Sequence, residues 1–225
     1  MEKYPPPPPA AGWGPQATAA SAEQVLTAWA TERNYVINTQ PATGFYLSWY
    51  PFQYLPRITH VTRELRTSFG EASVFVAEAY DNDPVRQAVG THRMLLCLLM
   101  SPNIAYRVAV RAKTGGGIGA EIERGLNELG NLLSSKPPPG NVLGDPILER
   151  AVDVTAPTRD EGNLALPQAL RRLLVQDFRG ILETRPQGMA VTFFDCTIFE
   201  PRSLDTVLHL TRQLYQSILA PGVAQ

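Results

Sequence analysis

The glycine run Gly115-Gly116-Gly117-Ile118-Gly119-Ala120 is the stretch of this chain that comes nearest to a known chemical motif. It matches the G-x-G-x-x-G/A pattern, in which missing side chains let a phosphate approach a helix N-terminus. The full motif also needs a βαβ unit and an acidic residue after the following strand. Here the preceding strands are predicted to form a meander. The sequence leaves two interpretations open: a small-ligand or nucleotide site at Gly115, Gly117 and Gly119, or a flexible turn.

Histidine, cysteine and acidic side chains offer little further chemistry. The three histidines have no His, Cys or carboxylate at a metal-ligand spacing, so we predict no metal site. Cys196 and Asp195 are neighbours in a predicted strand, and adjacent strand residues point to opposite faces. They are therefore not expected to share a thiol-based site. We predict a protein that is not an enzyme, with no catalytic residues and no cofactor.

The N-terminal 20 residues are rich in proline and are predicted to be a disordered tail. Five consecutive prolines favour an extended polyproline II rod, which aromatic-lined grooves of partner proteins recognise. The alternative is a solvated tether without a partner. The candidate partner-binding residues of the tail are Tyr4, Pro5, Pro6, Pro7, Pro8, Pro9 and Trp13.

Composition and charge narrow the class of protein. The chain has 225 residues, a hydrophobic fraction of 44% and a formal net charge of −1, with no run of Lys or Arg. A packed core is expected, and nucleic-acid binding is disfavoured. The longest apolar run, residues 94–100, is too short to span a bilayer, and the N-terminus lacks the apolar stretch of a signal peptide. We therefore expect no membrane insertion and a cytoplasmic location.

Apolar periodicity predicts the elements of the first part of the chain. A Ser-x-x-Gln capping box starts a helix at Ser21, and strands follow with short connections, as in an antiparallel meander. A second helix follows the glycine run. The predicted strands cover residues 44–50, 58–67, 72–80, 94–100 and 104–111, and the second helix covers residues 120–133.

The second part begins after a Pro/Gly-rich linker at residues 136–145. Its centre is a helix from Leu166, a two-stranded hairpin and a last helix from Ser203. The strand predicted over residues 189–199 is apolar on both faces, which indicates a central strand covered on both sides. Residues 148–154 are predicted as another strand and residues 159–163 as a loop.

Together these elements predict an α+β fold, an antiparallel meander sheet of seven or eight strands with helices packed on it. The predicted organisation is a tail at 1–20, a helix with a meander and a connecting helix at 21–135, and a linker at 136–145. A strand-helix-hairpin-helix unit at 146–225 shares the same core. Each part contains a meander and a helix. An arrangement of two similar lobes is therefore left open as an alternative.

Three segments resemble bacterial domains of unknown function. They are Trp49-Tyr50-Pro51-Phe52, Gly70-Glu71-Ala72-Ser73-Val74-Phe75-Val76 and Leu143-Gly144-Asp145-Pro146-Ile147-Leu148-Glu149-Arg150-Ala151-Val152-Asp153-Val154. In those proteins a Gly-Asp followed by Phe-Asp and a strand recurs, and Leu148-Glu149 stands here in place of Phe-Asp. The resemblance covers most of residues 40–219 and implies no catalytic residue and no cofactor.

The sequence thus predicts a non-catalytic protein-interaction or adaptor protein with a Pro-rich N-terminal tether. A protein partner is expected, and a homo-oligomer is left open. The alternative is the small-ligand or nucleotide-binding protein that would use the Gly115–Gly119 loop.

Overall fold

The computed structural model describes residues 19–88, 90, 92–113 and 143–220. Several predictions fall outside these residues and stay predictions: residues 1–18 of the Pro-rich tail with its candidate partner residues, the glycine run, the helix over residues 120–133 and most of the linker. The candidate residues concerned are Tyr4, Pro5, Pro6, Pro7, Pro8, Pro9, Trp13, Gly115, Gly117 and Gly119.

In the described residues one antiparallel sheet contains eight strands. Their spatial order is β1-β2-β3-β4-β8-β7-β5-β6, so a four-stranded meander leads into four strands from the later part of the chain. The strands are β1 (Val36–Asn38), β2 (His60–Phe69), β3 (Ala72–Tyr80), β4 (Arg93–Met100), β5 (Val108–Ala112), β6 (Val152–Thr155), β7 (Gly180–Arg185) and β8 (Gly188–Phe193).

Seven helices accompany the sheet in this part of the chain, and the α+β prediction is confirmed. They are α1 (Ala19–Glu32), α2 (Thr43–Leu47), α3 (Pro84–Ala88), α4 (Pro146–Ala151), α5 (Arg159–Ala165), α6 (Gln168–Gln176) and α7 (Pro201–Leu219). No helix among the described residues combines the length and apolar character that crossing a bilayer requires.

The middle strands of the sheet are buried on both faces. Along β4, Leu95, Cys97 and Leu99 belong to a core shared with the helices, while Leu96 and Leu98 belong to a second core on the opposite face. All six residues of β8 are buried as well. Successive side chains of a strand point to opposite faces of the sheet, so each face of the sheet needs its own apolar cover. The prediction of a central strand covered on both sides is confirmed.

The second face is covered by residues 42–58, which we call the aromatic segment. It contains α2 and otherwise lacks regular structure. Its buried side chains, Tyr46, Trp49, Leu55 and Ile58, pack with Ala77, Leu96 and other residues of the sheet. The helical face is formed mainly by α1, α6 and α7.

The strand predicted over residues 44–50 is wrong, because the chain forms α2 there. Phe45, Leu47 and Trp49 alternate along the sequence, but the side chains that the fold buries are Tyr46 and Trp49, three residues apart. Ser48 N–H donates to the carbonyl of Gly44 at 3.0 Å, as in a helical turn. Short apolar runs fit both periodicities, and here tertiary packing favours the helix.

The strand over 148–154 and the loop over 159–163 are also wrong in part. Asp145 accepts a hydrogen bond from Leu148 N–H and caps α4, so the strand starts only at Val152. Thr158 caps α5 through Glu161 N–H at 3.1 Å. Both caps are local signals, Asp followed by Pro and Thr-x-x-Glu, that lie in the sequence ahead of each helix.

Two predicted strands are too long. The strand over 189–199 ends at Phe193, and residues 194–200 form turns and bends, with Cys196 N–H donating to the Phe193 carbonyl at 3.2 Å. Asp195 is therefore exposed at a turn. The strand over 104–111 begins at Val108, because Ile104 instead binds the turn between β7 and β8.

We expect Gly180→Ala to destabilise the fold by about 1–3 kcal/mol, the usual cost of inserting an atom into a filled site. A Cβ at Gly180 would lie 2.0 Å from the backbone oxygen of Thr192, so the β7–β8 pairing would have to move. Urea unfolding measures the change in the free energy of unfolding.

Gly44→Ala is the matched control, since a Cβ there meets nothing within 4 Å. Alanine favours helix by up to about 1 kcal/mol over glycine, so this variant should unfold at the same or a higher urea concentration. Equal unfolding midpoints for the two variants would contradict the close packing at Gly180.

Candidate functional site

The β4–β5 connection and the β7–β8 turn are bound together at one end of the sheet. Ser101 N–H donates to the Gln187 carbonyl at 2.9 Å, and Gln187 N–H donates to the Ile104 carbonyl at 2.7 Å. The hydroxyl of Thr184 adds a bond to the Tyr106 carbonyl at 2.8 Å. We call residues 100–107 with residues 185–188 the loop-end surface. Its backbone is fixed by hydrogen bonds that these loops make with each other.

Large side chains are exposed on the loop-end surface. Met100 and Tyr106 expose 42% and 40% of their surface. Arg107 is exposed and Arg185 is half-buried, while residues 100–107 and 185–188 include no Asp or Glu. This surface therefore combines apolar and aromatic side chains with positive charge.

Arg185 is held against the aromatic segment. Its guanidinium carbon lies 3.8 Å from the centre of the Trp49 ring, and its Nη1 donates to the Trp49 carbonyl at 3.2 Å. Gly188 leaves the space that this ring occupies, since a Cβ there would lie 2.5 Å from Trp49 Cη2. Burial and the nearby charge of Arg107 lower the pKa of Arg185.

Glu183 joins the same end of the sheet to the aromatic segment. Its carboxylate accepts hydrogen bonds from three successive backbone amides, those of Gln53, Tyr54 and Leu55, at 2.6 to 2.8 Å. Tyr54 adds a bond of 2.7 Å between its hydroxyl and that of Thr155. A segment with little regular structure is thereby provided with partners for its backbone donors.

A cavity of about 210 Å³ lies beside these contacts. It is open to solvent and is bounded by the ends of β5, β6 and β7 and by the aromatic segment. Its lining residues are Gln53, Arg107, Val108, Ala109, Thr155, Ala156, Pro157, Glu183 and Thr184. The cavity therefore adjoins the loop-end surface through Arg107.

Glu78, buried on β3, lies between two arginines on the helical face. Arg63 Nε donates to its carboxylate at 2.9 Å, Thr62 adds a bond of 2.7 Å, and Arg93 forms an ion pair with it. Burial alone raises the pKa of the Glu78 carboxyl. The hydrogen bonds and positive charges outweigh burial, so the pKa lies below its usual value. This carboxylate is thus kept charged by its partners.

Glu64 is the buried carboxylate of the opposite face. The Tyr46 hydroxyl donates to it and Arg66 pairs with it, which attaches α2 to β2. Burial and, next, the hydrogen bond to Glu64 raise the pKa of Tyr46 well above its usual range. Tyr46 is fully buried, so this phenol is a structural donor.

The residues that the sequence offered for chemistry are not brought together. Cys97 is fully buried, and burial raises the pKa of its thiol to about 12. Burial and the charge of Asp195 raise the pKa of Cys196. His60 stacks on Tyr80 with ring centres 4.7 Å apart, and His209 is exposed on α7. Over the ranges that the structure describes, no three His, Cys, Asp or Glu side chains gather as a metal ion would require.

Sequence reasoning missed Arg107, Arg185 and Glu183. A signal for Glu183 was present, because an acid inside a buried strand needs hydrogen-bond donors around it. No comparable signal marks the arginines, whose proximity depends on pairing between strands that are about 75 residues apart in the chain.

We expect Glu183→Gln to lower the free energy of unfolding by about 1–3 kcal/mol, because an amide cannot accept all three backbone hydrogen bonds. Urea unfolding followed by tryptophan fluorescence reports the loss near Trp49. Glu71→Gln, at an exposed hairpin position, is the control and should unfold as the unmodified protein does. An unchanged midpoint for Glu183→Gln would contradict the role of this carboxylate.

Glu78 should make stability depend on pH under acidic conditions. Its pKa is lower in the folded than in the unfolded protein, so its contribution is complete above the unfolded value of about 4.3. That contribution is lost as the pH falls through the folded pKa. In Glu78→Gln the corresponding part of the acid-induced fall in stability should be absent, while Glu71→Gln should retain it. Equal pH profiles of urea unfolding for the two variants would refute this assignment.

Comparison with known proteins finds no matching family model and no matching curated protein. One solved structure is similar: the crystal structure of the mycobacterial trehalose monomycolate transport factor A, TtfA. The TM-score is 0.55 at 12% sequence identity, over 90% of this chain and 97% of that chain. This chain shares the fold of TtfA over nearly the whole length of both proteins.

Proposed function

We propose that this protein is a non-catalytic interaction factor that binds a protein partner through the loop-end surface. The observation that carries the proposal is the exposure of Met100 and Tyr106 beside Arg107 and Arg185, on loops fixed by their own hydrogen bonds. Tyr, Met and Arg are enriched in the buried centres of protein interfaces. A surface that is already ordered loses less entropy on binding.

The charge of the surface indicates the kind of partner. Its two loops include two arginines and no acidic residue. A partner with an acidic surface and an apolar anchor complements it, because charge complementarity both speeds encounter and selects the partner. The partner we propose is therefore an acidic protein surface.

The use of the buried ionisable groups supports a role without catalysis. Glu64 and Glu78, both almost fully buried, accept hydrogen bonds and ion pairs within the fold. A general acid or base must instead reach a substrate from an open site. The shared fold adds a second support, since the similar protein TtfA is named as a transport factor.

The Pro-rich tail is a second part of the same proposal. Tyr4, Pro5–Pro9 and Trp13 would add an extended segment for an aromatic-lined groove. Linking two weak contacts in one chain raises the overall affinity by effective concentration. A cytoplasmic location, suggested by composition, belongs to the proposal too.

The test is affinity capture from native lysate read by mass spectrometry with matched baits. Met100→Ser combined with Tyr106→Ala should reduce capture of an acidic partner at least about tenfold, since each side chain would contribute about 1 kcal/mol. The control bait combines Val25→Ser with Ile147→Ser, which are exposed apolar positions on α1 and α4. It should capture the partner as the unmodified protein does.

A third bait without residues 1–20 separates the tail from the folded surface. Reduced capture by this bait would identify the tail as a second contact, and undiminished capture would leave it as a tether. Equal capture by the loop-end variant and the control would overturn the proposal, as would the absence of any enriched protein.

A further inference from the structure

Arg107, the residue before β5, and Arg185, the last residue of β7, form a pair of like charges. The register pairs Val108 with Thr184, so continuing it by one residue places Arg107 opposite Arg185 on the same face of the sheet. Their proximity appears in the lowered pKa of Arg185, to which the charge of Arg107 contributes after burial. Like charges directly across a strand pair destabilise a sheet. The sheet therefore gains no stability from placing the two arginines opposite each other.

Neither arginine forms an ion pair with any residue that the structure describes. Other arginines of this chain do: Arg63 and Arg93 pair with Glu78, Arg111 with Asp153 and Arg171 with Asp145. Glu183, which lines the cavity together with Arg107, directs its oxygens at three backbone amides of the aromatic segment. Two guanidinium groups are thus accompanied by one carboxylate, that of Glu183, whose oxygens already accept hydrogen bonds from backbone amides.

Arg185 is held in place for binding. Its position on the Trp49 ring and its bond to the Trp49 carbonyl fix the guanidinium group, while its other N–H donors have no partner among the described residues. A guanidinium group offers parallel donors that match the two oxygens of a carboxylate or phosphate. Arg107 supplies a second guanidinium group at the mouth of the cavity.

The cavity limits the size of what could bind. At about 210 Å³ it is smaller than the roughly 300–1,000 Å³ of pockets that bury drug-sized ligands. Its lining includes the apolar residues Val108, Ala109 and Pro157 and the polar residue Gln53. These dimensions suit one small anionic group with a short carbon chain and exclude a buried nucleotide.

We infer that Arg107, which lines this cavity, and Arg185 at the end of β7 form a binding site for a small oxyanion, a carboxylate or a phosphate. The inference goes beyond the proposed function because it requires no protein partner. Its failure would leave the role of Met100 and Tyr106 in partner binding untouched.

The test uses the full chain and two probes, inorganic phosphate and succinate, each against sodium chloride at equal ionic strength. Thermal unfolding and isothermal calorimetry should show saturable binding of at least one probe. Which probe binds identifies the anionic group as phosphate or carboxylate. Arg107→Gln should weaken that binding at least about tenfold, the effect of losing a charge-assisted hydrogen-bonded pair.

Arg150→Gln is the matched control, because it removes the same charge from an exposed position on α4, next to the other end of β6. It should bind the probe as the unmodified protein does. Without the probe, Arg107→Gln should melt no lower than the unmodified protein, since repulsion of Arg185 is relieved. Absence of saturable binding, equal weakening by both variants, or a lower melting temperature of the probe-free Arg107→Gln protein would overturn the inference.

Discussion

The structure depends on covering the face of the sheet that the helices leave open. The middle strands, β4 and β8, have no side that can face water, because both sets of alternating side chains are apolar. On one face helices meet this need. On the other, the aromatic segment must lie flat on the sheet although most of its backbone lacks regular hydrogen bonding. The carboxylate of Glu183 meets that requirement for three amides, and a bond between the Tyr46 and Glu64 side chains attaches the other end of the segment to the sheet.

This arrangement explains why the loop-end surface is both ordered and positively charged. The last residues of β7 hold the aromatic segment through Glu183 and, two residues later, through Arg185 and Trp49. The same segment that completes the second core therefore also fixes the arginine beside the cavity. Packing of the core and presentation of the surface are consequences of the same contacts, so a change in the aromatic segment would alter both.

Much of the fold could be predicted from the sequence, and the failures have physical causes. The hairpin at Gly70 and the helix α7 have clear turn or start signals, and β4 is a continuous apolar run. Residues 44–50 of the aromatic segment are predicted as a strand because Phe45, Leu47 and Trp49 alternate, whereas tertiary packing decides which of these side chains is buried. The caps at Asp145 and Thr158 are visible in the sequence, but the apolar residues after Asp145 favour a strand and the polar residues after Thr158 favour a loop. The short elements β1 and α3 carry too few residues for a periodic signal.

The candidate site was largely beyond sequence reasoning. Arg107 and Arg185 meet only through the pairing of β5 with β7, and that pairing crosses most of the second half of the chain. The charge of each arginine is visible in the sequence, but its lack of an acidic partner is a property of the folded chain. The glycine run and the proline tail, by contrast, are recognisable from the sequence alone, but they lie outside the described residues.

The two strands at the edges of the sheet are its shortest. β1 has three residues and β6 has four, and within the described residues neither pairs with a strand on its outer side. A strand of that length offers an incoming chain only a few free backbone groups, which makes it a poor template for edge-to-edge addition. At the β6 edge, where four residues of β5 pair with β6, the sheet thereby offers little free backbone for growth into fibrillar aggregates, although its interior strands are among the most apolar stretches of the sequence.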